Sequence, residues 1–505
     1  MTRTGRRPGI ARSAAAVAAL ATAALAFAGR GTPAGAETRP PYGGVIDAAL
    51  LGAPVTLDPI AAASHAEITV VGLVFDTLYT IGADGQIEPH LALGPPVLDA
   101  ARTVAHVALR RGVTFHDQSA MTASDVADSL ERVRGKLPWL LAPVAAVRVA
   151  GDGVDLVLRA PGVDVTTLLA LPQTAVTRRG QSPGAPKAIG SGPFSVDSFE
   201  PSARRLVLRA FDGHFAGRPY LDRLELGWFD TPDGEARRFE TGQAQLSGRG
   251  MAAFAGARSK FPASRVESPP ALLVFVGFGR RHPAVTGEPA FRQALDLALD
   301  RGALATITTG EYTRPTRLPL PSQAGAAPLT PAAAAGDPVQ AASVLRAAAA
   351  RAPALSESHL TGLTLMIAID ETRPDDREIA LRVSRALDKL GIGFSIEAVP
   401  ASALRDRVEH GACDLWIGQL AAPVGAAPVW WGAAFDAGHD DWARGKLATG
   451  AIDPAAAATE FARRLPIVPL MFRALLIWHQ NDVHGLTFDA SGRPALADLY
   501  WFRRP

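Results

Sequence analysis

The chain has almost no cysteine. Cys413 is the only one in 505 residues. A single thiol cannot close an internal disulfide. It lies far from the N-terminus, so it cannot carry an N-terminal lipid anchor either. Long apolar runs are also missing: beyond the first thirty residues, no stretch of eighteen or more lacks a charge or a Pro-rich break, so the mature chain is expected to be soluble. Charge of one sign is missing too. Lys and Arg total 51, Asp and Glu total 49, and the formal net charge is +2. A nucleic-acid partner would require a basic face, and none is marked out. Arg dominates the basic residues, which in an Ala-, Gly- and Pro-rich chain carries no functional reading. No repeat of fixed period stands out. There is no H-E-x-x-H, no P-loop and no Rossmann glycine fingerprint.

The N-terminus reads as a targeting segment. Arg3, Arg6, Arg7 and Arg12 form a basic region, Ser13 to Ala28 is apolar, and Ala34-Gly35-Ala36 is a small-residue cleavage site. A signal peptide over 1–36 and a mature chain from Glu37 are expected. Arg6-Arg7 leaves both the general and the twin-arginine export routes open. Roughly 470 residues then remain, too many for one core, so two or three subdomains are expected.

Periodicity locates one lobe. Leu363, Leu365, Ile367 and Ile369 alternate as in a strand. Ile379, Val383, Ala386, Leu387 and Leu390 share one helix face, stopped by Gly391. Ile392, Phe394 and Ile396 alternate again. A second helix carries Leu404 and Val408, capped by Ser402 and ended by Gly411. Asp414 to Ile417 closes the run. This β-α-β-α-β order over 361–420 implies parallel strands in an open sheet, with ligand at their carboxyl ends. Upstream, Val104–Phe115 and Val154–Leu158 read as strands of a mixed or antiparallel sheet. Between them, Thr122-Ala123-Ser124-Asp125 is a capping box opening a helix with Val126, Leu130 and Val133 on one face. Pro289 opens another helix, and Ala324–Ala335 reads as a surface loop.

Several segments occur in an order and spacing that resemble a known family. They include Leu57-Asp58-Pro59, Val74-Phe75-Asp76-Thr77-Leu78-Tyr79, Leu109-Arg110-Arg111-Gly112-Val113-Thr114-Phe115-His116-Asp117, Gly190-Ser191-Gly192-Pro193-Phe194, Leu465-Pro466-Ile467-Val468-Pro469 and Asp498-Leu499-Tyr500-Trp501. In these the chain resembles the family 5 (cluster C) solute-binding proteins of ABC importers, the peptide- and nickel-binding class. The resemblance implies an α/β fold of the periplasmic-binding-protein type II class: two α/β lobes, three subdomains and a ligand cleft. The first subdomain is expected from 37–80, 190–282 and 483–505, the second from 81–189, and the third from 283–482. It also implies a monomeric periplasmic receptor that is not an enzyme; the position of Cys413 argues against a lipoprotein, no cofactor or metal is expected from the residues, and nickel-chelate binding stays open by family analogy alone. That receptor captures a peptide or peptide-like solute and delivers it to an ABC permease and ATPase. A diverged sensor or chaperone-like receptor without an importer is the alternative.

The candidate ligand contacts are His65 and Glu67 in the loop after Leu57-Asp58-Pro59, Trp416 at the end of the last strand of the run and facing the expected cleft, Gln419 in the stretch that follows, and Trp430 and Trp431 beyond it. Aromatic faces suit a pocket that accepts varied side chains. Relatives that hold peptides often clamp the α-amine with an aspartate after a Trp-rich segment. Here Trp416 to Pro428 contains no acidic residue, and an ammonium buried without a partner costs several kcal/mol. Two further departures are Gln118, where the family usually has Gly, and a Val276-Gly277-Phe278-Gly279 strand without the usual Asn. Gly180-Gln181-Ser182-Pro183-Gly184 matches a nucleophile-elbow pattern, but Pro183 and loop-like flanks argue against an exported hydrolase. His479 and His484 lack the spacing of a metal site. Cys413 reads as a small buried hydrophobe.

Overall fold

The computed structural model describes residues 1–2, 40–50, 52–181, 187–229, 232–248, 263–306, 313–373 and 375–502. The segment 1–36 expected to be a signal peptide, apart from Met1 and Thr2, lies outside the described residues, as does Ser182 of the elbow-like pattern. The chain divides into a unit over Met1–Pro41 and a unit over Tyr42–Pro505.

Three sheets of four or more strands carry the second unit. One has seven strands in the order Ala263–Glu267, Leu476–Gln480, Leu246–Ser247, Val45–Ala49, Arg223–Gly227, Arg205–Ala210 and Phe194–Glu200. Another has four, Val97–Leu98, Val104–Ala108, Gly153–Leu158 and Val144–Ala150. The third has six, Thr313–Pro315, Val468–Arg473, Leu272–Phe278, Leu415–Ala421, Thr364–Asp370 and Gly393–Val399. In this six-stranded sheet the last three strands are mutually parallel, as a β-α-β-α-β run with helical crossovers requires. Their helices are Asp376–Lys389 and Ala401–His410. Ile379, Val383, Ala386 and Leu387 are buried against the sheet, and Gly391 ends the first helix at φ +74°. The second helix starts at Ala401 with Pro400 at its cap, so Ser402 lies inside the first turn instead of capping it.

Strand pairing sets where the chain passes between lobes. Leu272–Phe278 pairs with Leu415–Ala421 and Val468–Arg473, so it belongs to the six-stranded sheet. Leu476–Gln480 pairs with Ala263–Glu267, so it belongs to the seven-stranded sheet. Both passages therefore come earlier than the expected ends at 282 and 482. The two connecting segments lie side by side: Ser268 N–H donates to Leu475 O at 2.8 Å, and Leu475 N–H donates to Ser268 Oγ at 2.7 Å. Periodicity reports that a segment is a strand, not which sheet receives it.

Each large sheet has its own apolar core. A third core joins the four-stranded sheet to residues far along the chain. Val107, Leu130 and Leu156 share it with Trp430, Trp431, Phe435 and Phe461. The Ala427–Ala437 helix is apolar around most of its circumference, and such a helix is buried on several sides.

The predicted capping box at Thr122 forms: Asp125 Oδ2 accepts from Thr122 N at 2.9 Å, and the helix runs Ala123–Lys136. The family-like glycines act by two mechanisms. Gly112 has φ +77°, a conformation that disfavours any Cβ. Gly190 and Gly192 do not have positive φ; they sit against the end of the His65–Val74 helix, where a Cβ on Gly190 would fall 1.9 Å from Val74 O. Gln118, where the family usually has Gly, has φ +67°. A left-handed non-glycine residue costs about 1–2 kcal/mol. Gln118→Gly should therefore raise stability by about 0.5–1 kcal/mol, while Gly190→Ala should lower it by about 2 kcal/mol or more. Denaturant unfolding followed by circular dichroism checks both signs.

Candidate ligand-binding site

A cavity of about 420 Å³ lies between the lobes. The seven-stranded lobe contributes Ala53, Val55 and the Ile60–Ser64 segment. The four-stranded region contributes Trp139, Leu171 and Gln173. The six-stranded lobe contributes Phe275, Asp370, Arg373, Arg405, Trp416, Gly418 and Gln419, and the Ala427–Ala437 helix adds Val429, Ala433 and Asp436. The volume suits a small organic solute.

The aromatic floor follows from strand register. Trp416 sits opposite Gly277, and Phe275 opposite Gly418, across the antiparallel pair. Each ring lies over a position without a side chain: a Cβ on Gly277 would meet the Trp416 indole at 2.2 Å, and one on Gly418 the Phe275 ring at 2.2 Å. The rings meet edge to face at 5.0 Å between centroids. Gly277 lies in the strand that lacks the family's Asn, and the Trp416 indole covers it.

Several polar groups around the cavity are already engaged. Asp370 Oδ1 accepts from Thr372 N at 2.8 Å and Thr372 Oγ1 at 2.7 Å. Arg373 pairs with Asp376 at 2.8 Å and donates to Ile417 O at 2.9 Å. Burial pushes the Asp376 carboxyl up to about 7 against the opposing pull of Arg373. Gln419 differs. It is 9% exposed, and its Oε1 has no hydrogen-bond partner among the described residues. Asp436 also lines the cavity, with the Trp139 indole beside its carboxylate. Burial pushes its carboxyl up to about 6, the Trp139 indole acts in the opposite direction, and Asp441 raises it further.

Contacts between lobes flank the cavity. Glu67, fully buried, accepts from Val55 N, Ala63 N and Ser64 N, each at 3.0 Å, at the start of the His65–Val74 helix. Arg405, on the helix packed against the other lobe, reaches it at 2.5 Å. Ala53 N–H donates to Thr372 Oγ1 at 3.0 Å, a second contact between the same lobes. Arg132 grips Asp58 through two hydrogen bonds of 2.9 and 2.8 Å, and Gln173 donates to Ala62 O at 2.8 Å.

Of the six residues expected to contact ligand, Trp416 and Gln419 line this cavity. Trp416 is half-buried near the start of its strand, on the sheet face, instead of at the strand end. Glu67 lies behind the wall and is neutralised by Arg405. His65 is buried elsewhere, with Nε2 3.0 Å from Gly492 O and its imidazolium disfavoured by burial. Trp430 and Trp431 are fully buried core residues: Trp430 Nε1 donates to Pro423 O at 3.0 Å, and Trp431 packs on Phe461. Cys413 is buried, and burial pushes its thiol up to about 11, so the hydrophobe reading fits. Sequence reasoning passed over Arg405, Trp139, Gln173 and Asp436. Only Asp436 had a sequence signal, as the sole charge in Val429-Trp430-Trp431-Gly432-Ala433-Ala434-Phe435-Asp436-Ala437.

Comparison with known proteins points the same way. The model of the bacterial extracellular solute-binding proteins, family 5 (middle region), matches residues 86–440. Among curated relatives, the chain is 32% identical over 196 residues to the uncharacterized protein YhjP of Bacillus subtilis, covering 38% of this chain and 33% of that one. It is 23% identical over 288 residues to the oligopeptide-binding protein AppA of the same organism, covering 53% and 52%. The chain thus spans a third to about half the length of these two relatives. Among solved structures, NikA from Staphylococcus aureus in complex with Ni(L-His)2 superposes with TM-score 0.77 at 16% identity, covering 91% of this chain and 100% of that one. A dipeptide-binding protein from Pseudoalteromonas in complex with Met-Leu gives 0.76 at 16%, covering 91% and 100%. At such identity the likeness establishes the fold, and it is the expected α/β binding-protein architecture.

The Glu67–Arg405 pair spans the two lobes with Glu67 buried and already held by three backbone N–H groups and Arg405 partly exposed, so a contribution to lobe closure of about 1 kcal/mol, the upper end for pairs reached by solvent, is expected. Arg405→Ala should move the open–closed ratio roughly fivefold toward open. Small-angle scattering of the ligand-free protein should show a larger radius of gyration with unchanged secondary structure.

Proposed function

The chain belongs to the family 5 bacterial extracellular solute-binding proteins, and from that premise we propose that it captures a small peptide-like solute in the inter-lobe cavity and presents it to an ABC permease. Proteins of this family bind their solutes and do not transform them.

The observation that carries the reading is Gln419. Its carbonyl oxygen is buried and unpartnered at the wall of a cavity that both lobes enclose. An acceptor left dry costs about 1–3 kcal/mol. A ligand amide or hydroxyl hydrogen removes that cost, and most completely when the lobes have closed. A ligand shifts the open–closed equilibrium only by the difference in its affinity for the two forms. The edge-to-face pair of Phe275 and Trp416 supplies an apolar floor for a side chain. Asp436 supplies a carboxylate for a cationic end. Gln419 is the neutral group in the acid-free stretch after Trp416, and Asp436 stands on the next helix. This division of labour suits a solute that presents an amide near Gln419 and an ammonium near Asp436, as a short peptide does. Among the described residues no helix is long and apolar enough to cross a membrane. Together with the basic, apolar and A-x-A segments of the sequence, this supports a periplasmic location.

The alternative, a sensor or chaperone-like receptor without an importer, uses the same cavity; the acid-free Trp416–Pro428 stretch favours it. Permease and ATPase genes beside this one select the transport reading, and their absence selects the sensor.

Mass spectrometry of solute released from natively expressed protein, followed by calorimetric titration, tests the proposal. A single short peptide or peptide-like amine per chain is expected, with Gln419→Leu weakening its binding about tenfold or more. Asp436 takes a proton near pH 6, so the affinity for a cationic solute should fall as pH drops from 7 to 5. Asp436→Asn should remove that dependence. Enzymatic turnover of the bound solute would overturn the reading. N-terminal sequencing of the exported protein should begin at Glu37.

A further inference from the structure

A second polar cluster lies away from the cavity, where the four-stranded region joins the seven-stranded lobe. Asp76 follows the His65–Val74 helix, His90 follows the Ile87–Pro89 strand, and His214 sits in the turn after Arg205–Ala210. One carboxylate oxygen and one ring nitrogen from each histidine lie within 4.8 Å of one another. Asp76 Oδ1 is 2.8 Å from His90 Nε2 and 3.6 Å from His214 Nε2. None of the three lines the inter-lobe cavity.

The bonding around His214 is incomplete in one specific way. Its Nδ1 lies 3.1 Å from Gly217 O, and a carbonyl only accepts, so Nδ1 carries the hydrogen. In the neutral ring, Nε2 is then a bare lone pair. The side chain is 7% exposed, and Nε2 has no hydrogen-bond partner among the described residues. It faces a carboxylate oxygen that His90 already occupies. Two sets of lone pairs confronting each other in a buried site repel unless a positive centre stands between them. A proton on Nε2 answers this as an ion pair with Asp76, at 3.6 Å longer than a good hydrogen bond, and a metal ion answers it with direct bonds to both atoms.

We propose that Asp76, His90 and His214 form a binding site for one divalent cation of the zinc class. Two imidazoles and a carboxylate are a borderline donor set that suits Zn²⁺. Two ligand atoms each about 2.1 Å from one ion at a tetrahedral angle lie about 3.4 Å apart, so the 3.6 Å Asp76–His214 separation already fits, the 2.8 Å Asp76–His90 contact must open by about half an ångström, and a ring rotation must draw the two imidazole nitrogens together from within 4.8 Å. The outer contacts are those of a metal site. His214 donates its other ring N–H to a backbone carbonyl, and Asp76 Oδ2 accepts the Ser191 hydroxyl at 2.8 Å, which fixes the carboxylate. Phe215 packs on both imidazoles, at 4.9 and 4.8 Å between centroids. His116, close by, is not a ligand: it uses both nitrogens, on Gly192 O at 3.0 Å and Gly190 N at 3.2 Å. A neighbouring cation, Arg110, is held by His90 O at 3.1 Å and stacks on Phe215. The His90 side chain is 25% exposed, which gives an ion a route in and leaves a fourth position for water. An ion here fastens the Asp212–Gly217 turn to the segment that leads out of the His65–Val74 helix, independently of solute in the cavity.

The test titrates chelator-treated full-length protein with ZnCl₂ by calorimetry, with Co²⁺ absorption reporting coordination and thermal unfolding reporting stability. One ion per chain, a visible cobalt spectrum and a raised melting temperature are expected. His90→Ala and His214→Gln should each weaken Zn²⁺ binding by about tenfold or more and abolish the cobalt bands. Circular dichroism verifies that each variant is folded, and the more conservative His214→Gln keeps the test decisive if His90→Ala is not. Absence of saturable one-to-one binding, or binding that both variants retain, overturns the site.

Discussion

The cavity exists because the two large sheets share no strand and are joined through connections that leave a gap between them. Two of these run side by side and are hydrogen-bonded to each other at Ser268 and Leu475. That pair fixes the spacing of the lobes at one edge while leaving the opposite edge to side chains. Burial of the backbone at the crossings demands this pairing, since an orphaned amide or carbonyl there would cost as much as the hydrogen bond it lacks. Everything at the cavity rim, from the Ala53–Thr372 contact to the Glu67–Arg405 ion pair, is then a question of how far the lobes approach about a fixed connection.

The side chains that define the cavity fall into two groups. Asp370, Arg373 and Glu67 are saturated by protein partners, so they hold the walls in place and have little left for a guest. Gln419 and Asp436 answer burial in different ways. A neutral amide oxygen can wait unpaired at modest cost, whereas a carboxylate in the same setting responds by holding its proton more tightly. The two together give the wall one permanent acceptor and one whose charge depends on what arrives.

What the sequence made legible was local. The capping box at Thr122, the stop at Gly391 and the alternation of Leu365, Ile367 and Ile369 each depend on residues within a few positions of one another, and each appears as read. Sheet membership did not, because the apolar residues of Leu272–Phe278 and Leu476–Gln480 read the same whichever sheet they join. The site was harder still. Glu67 meets Arg405 across 338 residues of sequence, and nothing in either neighbourhood announces the other. The tryptophans show the same limit from the other side. Trp416 and Trp430 are equally conspicuous in the sequence, yet one floors a cavity because glycines lie opposite it, and the other fills a core because Phe472 does.

The Asp76 cluster belongs to this second, non-local kind, and it carries a consequence for the lobes. Asp76 lies in the Val74-Phe75-Asp76-Thr77-Leu78-Tyr79 stretch, whose Phe75, Leu78 and Tyr79 are core residues. A carboxylate in that setting must be matched by donors, and Ser191 and His90 supply two. His214 comes as a third neighbour from a separate turn without completing a bond. The stretch runs directly out of the helix whose first turn holds Glu67, so the two polar clusters lie at opposite ends of one ten-residue helix, the same element that carries the Glu67–Arg405 contact to the other lobe.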